Sequence, residues 1–273
     1  MNGSPGKIRK SLGGFDAPGR IALMPFVPAG YPDLATTAKA IVSLEKSGAT
    51  LIEVGFPFSD PIADGPTIQE AFTEALKKKL KVADIFQMIR SVRQRAKLPL
   101  VAMVSYSIVF RYGTERFASD AKSAGFDGVI IPDLPPPEAQ SICQTLWTAG
   151  LETVLLVAPT TTQDRRAEIA RLSTGFIYYL SVSGVTGERA ALPTDIAANL
   201  AALKKLSDVP VCVGFGISTA EHVRQLSQLA DGAIVGSAMV KRMKQHLGEG
   251  PEAIAAALGK YCWELCCGVV DDE

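Results

Sequence analysis

Residues Leu51–Gln69 read LIEVGFPFSDPIADGPTIQ, and the changes of character within them decide the fold. The stretch opens as a strand, Leu51-Ile52-Glu53-Val54. It breaks at Gly55 and Pro57 into a loop carrying Asp60 and Asp64, and enters a helix near Thr67. Alternation along a strand puts Leu51 and Glu53 on one face and Ile52 and Val54 on the other. With both faces covered, Glu53 is a buried acid, a costly state unless the group is paired or protonated. A structural ion pair is the plainer reading, but none of the other apolar runs contains a Lys or Arg to serve as partner. An unpaired strand carboxylate has its pKa pushed up, as a general acid requires. Asp64, between Ala63 and Gly65 in a polar loop, stays ionised there. Two carboxylates in contrasting surroundings divide acid and base roles at neutral pH. Asp-Pro and Asp-Gly are also ordinary turn residues, so spacing alone leaves both readings open.

Outward from this stretch, short apolar runs recur between amphipathic ones. Strand cores are predicted at Ala22–Val27, Leu51–Val54, Leu100–Val104, Gly128–Ile131, Thr153–Val157, Phe176–Leu180, Val211–Phe215 and Ala233–Val235. Helices are predicted at Leu34–Ser47, with Asp33 as N-cap, then Thr67–Lys79, Val82–Ala96, Gly113–Ala124 and Pro137–Ala149. Asp164–Ser173, Thr194–Leu206, Thr219–Leu229, Ser237–His246 and Pro251–Cys267 follow, Asp164 and Thr219 being good capping residues. Strand–helix alternation with strands apolar on both faces implies a parallel sheet. Eight units in roughly 250 residues are the arithmetic of a closed (β/α)8 barrel, the α/β class known as the TIM barrel. An open doubly wound sheet is the runner-up, but no GxGxxG follows the first strand. One domain is expected: a barrel over residues 20–267, an N-terminal extension or weak cap helix over 1–19, and an acidic tail over 268–273. Ile8, Leu12 and Phe15 have helical spacing, interrupted by Gly13-Gly14.

Composition narrows the function classes. The 273 residues are 47% hydrophobic and 21% charged, with 28 basic and 28 acidic side chains and no net charge. No basic run points to nucleic acid, and no apolar run reads as a secretory signal or a membrane span. Five cysteines, Cys143, Cys212, Cys262, Cys266 and Cys267, form no CxxC pair, so a reducing, cytoplasmic setting fits better than a disulfide framework. His222 and His246 lack ligand spacing and are assigned to solvated surface; no metal site is expected.

In a barrel, function gathers at the C-terminal ends of the strands. Strand one ends at Phe26, an apolar wall or simply core; strand two gives Glu53; strand six ends at Tyr178-Tyr179. The last three strands end in glycine: Gly184 and Gly187 flank Thr186, Gly214 and Gly216 flank Phe215, and Gly236 precedes Ser237, which opens a helix. Glycines turn strands into loops, but they also let backbone amides approach an anion, and a helix N-terminus adds N–H groups and its dipole. Their clustering after strands six to eight marks a phosphate site.

The full string Glu-x-Gly-x-Pro-x-Ser-Asp-Pro-x-Ala-Asp-Gly-Pro-x-Ile-Gln resembles the signature of the tryptophan synthase alpha subunit family. The resemblance extends through Pro25–Asp33 (PFVPAGYPD), Ile131–Pro135 (IPDLP), Ser181–Gly187 (SVSGVTG), Val213–Ile217 (VGFGI) and Val235–Ser237 (VGS), covering roughly residues 20–265. It implies a lyase that splits indole-3-glycerol phosphate into indole and glyceraldehyde 3-phosphate by a retro-aldol reaction in L-tryptophan biosynthesis. By the same motifs, Glu53 is the proton shuttle, Asp64 bonds the indole N–H, and Tyr178 lies near Glu53. Phe26 then flanks the ring, while Thr186, Gly187, Gly216, Gly236 and Ser237 take the phosphate and Gly214 supports the turn. The chemistry is coherent: no strand-end lysine offers a Schiff base and no His cluster offers zinc, so the substrate must carry its own electron sink. An indole protonated at C3 is one.

The resemblance also implies a cytoplasmic alpha2beta2 heterotetramer with a beta subunit that alone carries pyridoxal phosphate, the alpha chain having no cofactor. Pro57–Asp60 and Met103–Phe110 are the expected contacts. Ser105-Tyr106-Ser107 departs from the family pattern, which often has Tyr-Asn there. A stand-alone lyase, or a weakly active module that mainly activates the beta subunit, are the alternatives.

Overall fold

Each strand is a short run of mostly apolar residues, and what the run becomes depends on which face of it finds cover. The computed structural model describes residues 6–14, 20–59, 65–180, 195–214 and 216–267. Within them lie β1 (Ala22–Pro28), β2 (Ile52–Gly55), β3 (Leu100–Met103), β4 (Gly128–Ile130), β5 (Glu152–Val157), β6 (Ile177–Leu180), β7 (Val211–Gly214) and β8 (Gly232–Val235). All pair in parallel and in sequence order, and β8 returns to β1 to close the barrel, with Met24 opposite Ile234. Side chains alternate across this wall. Met24, Val101, Ile130, Val154, Tyr178, Cys212 and Ile234 meet inside it, while Leu23, Ile52, Leu100, Val129, Leu155 and Val211 face the helices. The predicted (β/α)8 class is the observed one.

The helices are α2 (Leu34–Lys46), α3 (Pro66–Lys77), α4 (Val82–Val92), α5 (Tyr106–Tyr112), α6 (Thr114–Ala124), α7 (Pro136–Thr148), α8 (Gln163–Leu172), α9 (Ile196–Lys204), α10 (Ala220–Leu226), α11 (Ser237–Gln245) and α12 (Pro251–Cys267), preceded by α1 (Lys7–Leu12). Asp33 caps α2 as expected, accepting from Thr36 N at 2.7 Å. At α8 the cap position falls on Thr162, and Asp164 is the second residue of the helix, in its first turn, where its charge still favours the helix N-terminus. Around the end of β2, Phe56 packs on Phe86, Phe117 and Phe126 with ring centroids 5.8–6.0 Å apart, tying α4 and α6 to that strand. Phe56 N also donates to Met103 O at 2.8 Å, so the strand end that follows Glu53 is held on two sides.

Helix α1 plugs the N-terminal end of the barrel. Ile8 and Leu12 are fully buried against the inner cluster, each contributing about 1.5–3 kcal/mol of apolar burial. Gly6, the N-cap, has no side chain to offer. The carboxylate of Glu152, on β5, takes that role and accepts from Ile8 N (2.7 Å) and Arg9 N (3.1 Å). A Cβ on Gly6 would collide with that carboxylate. At the other end, Gly13 N bonds back to Arg9 O and the helix stops after six residues.

Helix α5 was not expected from sequence, where Ser105-Tyr106-Ser107 reads as a strand end. Its nucleation depends on a residue 27 positions away: Asp133, beyond β4, accepts from Tyr106 N at 2.7 Å and from Ser105 Oγ at 2.9 Å. Ser105 Oγ in turn accepts from Ser107 N at 3.2 Å. Ser105 therefore caps a helix, and Ser107 supplies the N–H that it caps. The histidines also differ from expectation. His222 is half-buried and its Nδ1 accepts from Ser218 N at 3.4 Å, and His246 pairs with Glu249 at 3.0 Å.

Candidate active site

Leu51 faces the barrel interior, so strand alternation turns Glu53 inward as well. Its side chain is 0% exposed, and among the described residues neither carboxylate oxygen has a hydrogen-bond partner. Burial raises its pKa from 4.5 to about 8, because desolvation penalises the ionised form. Glu53 stands in register with Phe26 on one side and Val101 on the other, both apolar. A charge on Glu53 also helps raise the Cys212 thiol of β7, so the two share the interior.

Two aromatic rings rest on glycines at strand ends. Tyr178, inward on β6, lies across Gly214, where a Cβ would collide with its ring and hydroxyl. Gly214 is the last residue of strand β7, and its lack of a side chain leaves the room that the Tyr178 ring fills. Phe26 lies across Gly55 in the same way and meets Phe72 of α3 edge-on, with centroids 6.3 Å apart. The ring is 2% exposed, so it is a packed wall, set in place by α3 as much as by its own strand. Gly55 went unassigned in the sequence, because its value lies in a contact with a residue 29 positions earlier.

Beyond β7 and β8 lies a second centre. Gly216 has φ +44°, a left-handed conformation that glycine adopts without strain. Gly236 is the N-cap of α11, and Val240 N donates to Gly236 O as the first bond of that helix. The amides of Ser237, Ala238 and Met239 therefore have no helical acceptor and are free to meet an anion. Gly236 and Ser237 are half-buried, and Ile68 of α3 reaches to 3.7 Å of where a Gly236 Cβ would stand. Asp64, Thr186 and Gly187 lie outside the described residues, as do Asp60, Gly184, Arg189 and Phe215. Among the described residues no group of His, Cys, Asp and Glu is arranged to hold a metal ion, and no helix is long and apolar enough to cross a membrane.

A closed barrel of eight parallel strands, with a buried acid inside it and glycines where its last strands end, defines a barrel enzyme of the (β/α)8 class. The profile of the tryptophan synthase alpha chain family matches residues 14–265. The alpha chain of Prochlorococcus marinus (strain MIT 9313) is 47% identical over 250 residues, covering 91% of this chain and 90% of that protein. The alpha chain of Geobacter sp. (strain M21) is 45% identical over 230 residues, 84% of this chain and 86% of its own length. Among solved structures, a chain of Mycobacterium tuberculosis tryptophan synthase superposes with a TM-score of 0.87 at 36% identity, covering 97% of this chain and 99% of that one. The Pyrococcus furiosus alpha subunit gives 0.82 at 36% identity, with 91% and 98% covered. The chain belongs to the tryptophan synthase alpha chain family, and is a carbon–carbon lyase of tryptophan biosynthesis.

Proposed function

We propose that Glu53 carries the family's cleavage of indole-3-glycerol phosphate by shuttling one proton. The observation behind this is its full burial, without a hydrogen-bond partner among the described residues, which keeps it protonated at neutral pH. In the acid form it gives its proton to indole C3, and the ring becomes an iminium that draws electrons. The resulting carboxylate takes the proton from the side-chain hydroxyl beside the ring. The carbon–carbon bond then breaks, its electrons return to the ring, indole and glyceraldehyde 3-phosphate form, and Glu53 ends protonated as it began. Burial holds the acid protonated at neutral pH, ready for the first transfer, and makes the carboxylate left behind a stronger base for the second.

Asp64 accepts the indole N–H bond in this reading and stabilises the positive ring. Tyr178 stands over the leaving fragment and Phe26 lines the ring side. The phosphate is held by the amides of Gly187, Gly216, Gly236 and Ser237 with Thr186 beside them, while Gly214 keeps Tyr178 in place. The test is Glu53→Gln in an indole-release assay. Turnover falls by about 10²–10⁴-fold or more with KM little changed; a variant retaining a tenth of the rate would remove Glu53 from the role.

The working assembly is an alpha2beta2 heterotetramer in the cytoplasm, with pyridoxal phosphate on the beta subunit and no cofactor on this chain. Helix α5 presents Phe110, 67% exposed and tilted at 44° against Tyr106 with centroids 5.8 Å apart, the kind of aromatic pair that anchors an interface. With the turn at Pro57–Asp60, it supplies the docking face. Sedimentation with a beta subunit, before and after Phe110→Ala, tests this; unchanged association would place the contact elsewhere.

A further inference from the structure

Between β7 and α10 the backbone beyond Gly216 is gripped from outside the barrel. Ser218 O accepts a 2.8 Å hydrogen bond from the Tyr261 hydroxyl of α12, 43 residues further along the chain. Ser218 N donates to His222 Nδ1, and Thr219 Oγ1 accepts from His222 N at 3.2 Å, so the connection is fixed to α10 as well. Tyr261 is itself 7% exposed. The guanidinium of Arg242 lies 4.8 Å from its ring centroid, and Arg242 belongs to α11, the helix whose first turn starts at Ser237. One aromatic side chain therefore touches both elements that carry the amide cradle, two residues beyond Gly216 on one side and through Arg242 of α11 on the other. Its hydroxyl holds the β7 connection, and its ring face holds α11 through Arg242.

We infer that Tyr261 is a positioning residue for the phosphate end of the substrate. It fixes the Gly216 amide relative to the amides of Ser237 and Ala238 without touching the ligand. A cradle made of backbone amides from two separate elements binds an anion only while their spacing stays within a fraction of an ångström. Side-chain charge could correct a small displacement by moving; backbone amides cannot. A strut between the two elements is what such a site needs, and Tyr261 is placed as one. The inference rests on the reading of this end as the phosphate subsite.

The experiment compares wild type with Tyr261→Phe, which keeps the ring and the Arg242 contact and removes only the hydroxyl. Loss of one hydrogen bond to a carbonyl corresponds to about a three- to ten-fold effect. KM for indole-3-glycerol phosphate is expected to rise by that factor, with kcat within twofold. Inhibition by glycerol 3-phosphate should weaken in step, while binding of indole, which has no phosphate, stays the same. Arg242→Gln, which releases the ring from α11, should shift glycerol 3-phosphate inhibition in the same direction. Thermal melting of each variant is followed alongside. If wild type is inhibited by glycerol 3-phosphate and Tyr261→Phe equally so, the strut is overturned and the phosphate subsite stands. If kcat, KM and indole binding all deteriorate together with the melting temperature, Tyr261 is only packing and the inference is overturned. If wild type is not inhibited by glycerol 3-phosphate at all, the phosphate reading fails and takes the inference with it.

Discussion

Replacing Glu53 by Gln should make the protein more stable as well as inactive, and the size of that gain should depend on pH. In the unfolded chain a Glu ionises around 4.5, whereas in the barrel it resists ionisation until about 8. Between those values the folded state binds a proton that the unfolded state has lost, so stability falls as pH rises. Each pH unit in the window costs about 1.4 kcal/mol, which brings the burden of Glu53 to roughly 3 kcal/mol at pH 7. Gln has nearly the same shape, buries a neutral group as the protonated acid does, and carries no such burden. The two proteins should melt within a degree or two of each other near pH 4.5, and Gln should lead by about 6 °C or more at pH 7, taking ~2 °C per kcal/mol for a chain of this size. Melting followed by circular dichroism in matched buffers from pH 4.5 to 8 reads the difference directly. A gap that does not widen with pH would mean that Glu53 ionises normally, and the proton-shuttle mechanism would lose its basis.

Gly214→Val should displace the Tyr178 ring from its seat, lowering turnover at least tenfold by the steric logic of overpacked sites while costing about 1–3 kcal/mol of stability; wild-type turnover would show that Tyr178 has nothing to do there. Gly216→Val should raise KM with kcat nearly kept, since it obstructs amide approach and strains a positive-φ position; an unaltered KM in steady-state assays would separate that glycine from the anion. Glu152→Ala should strand the buried Ile8 N–H and lower the melting free energy by about 1–3 kcal/mol, with limited proteolysis ahead of residue 20 rising in parallel; equal proteolysis would show that α1 needs no cap. Adding a beta subunit should raise indole release without any new catalytic side chain, by favouring the active arrangement; no change despite demonstrated binding would support a stand-alone lyase.

The barrel was readable in the sequence because each strand carries its own signal: a run such as Leu100–Met103 is apolar at every position, and parallel strands covered on both faces have that composition. Glu53 was readable for the opposite reason, as the one acid that breaks such a run inside the motif. Glycines at strand ends could be seen but not sorted. Gly216 shows its purpose in a φ angle, while Gly55 and Gly214 show theirs only through rings on neighbouring strands. Helix α5 escaped because its first turn is completed by Asp133, across the barrel wall, and no local propensity reports that bond. The same holds for Tyr261, which in sequence is one more core position on an amphipathic helix. What periodicity encodes is burial; partnership between distant residues is encoded only by the folded chain.

The seat of α1 has a consequence for how the protein is made. Ile8 fills the space left by Gly128 and Gly175 at the base of the barrel, and its amide is capped by Glu152, 144 residues later. The helix leaves the ribosome before its socket is synthesised. At ~5–20 residues per second, translation reaches Glu152 roughly 7–30 s after Ile8. For that interval two large aliphatic side chains have nowhere to dock, and a helix of six residues is too short to persist alone. Helix α1 thus cannot reach its place until β5 has been made, and a nascent barrel truncated before β5 would be expected to keep its base uncovered.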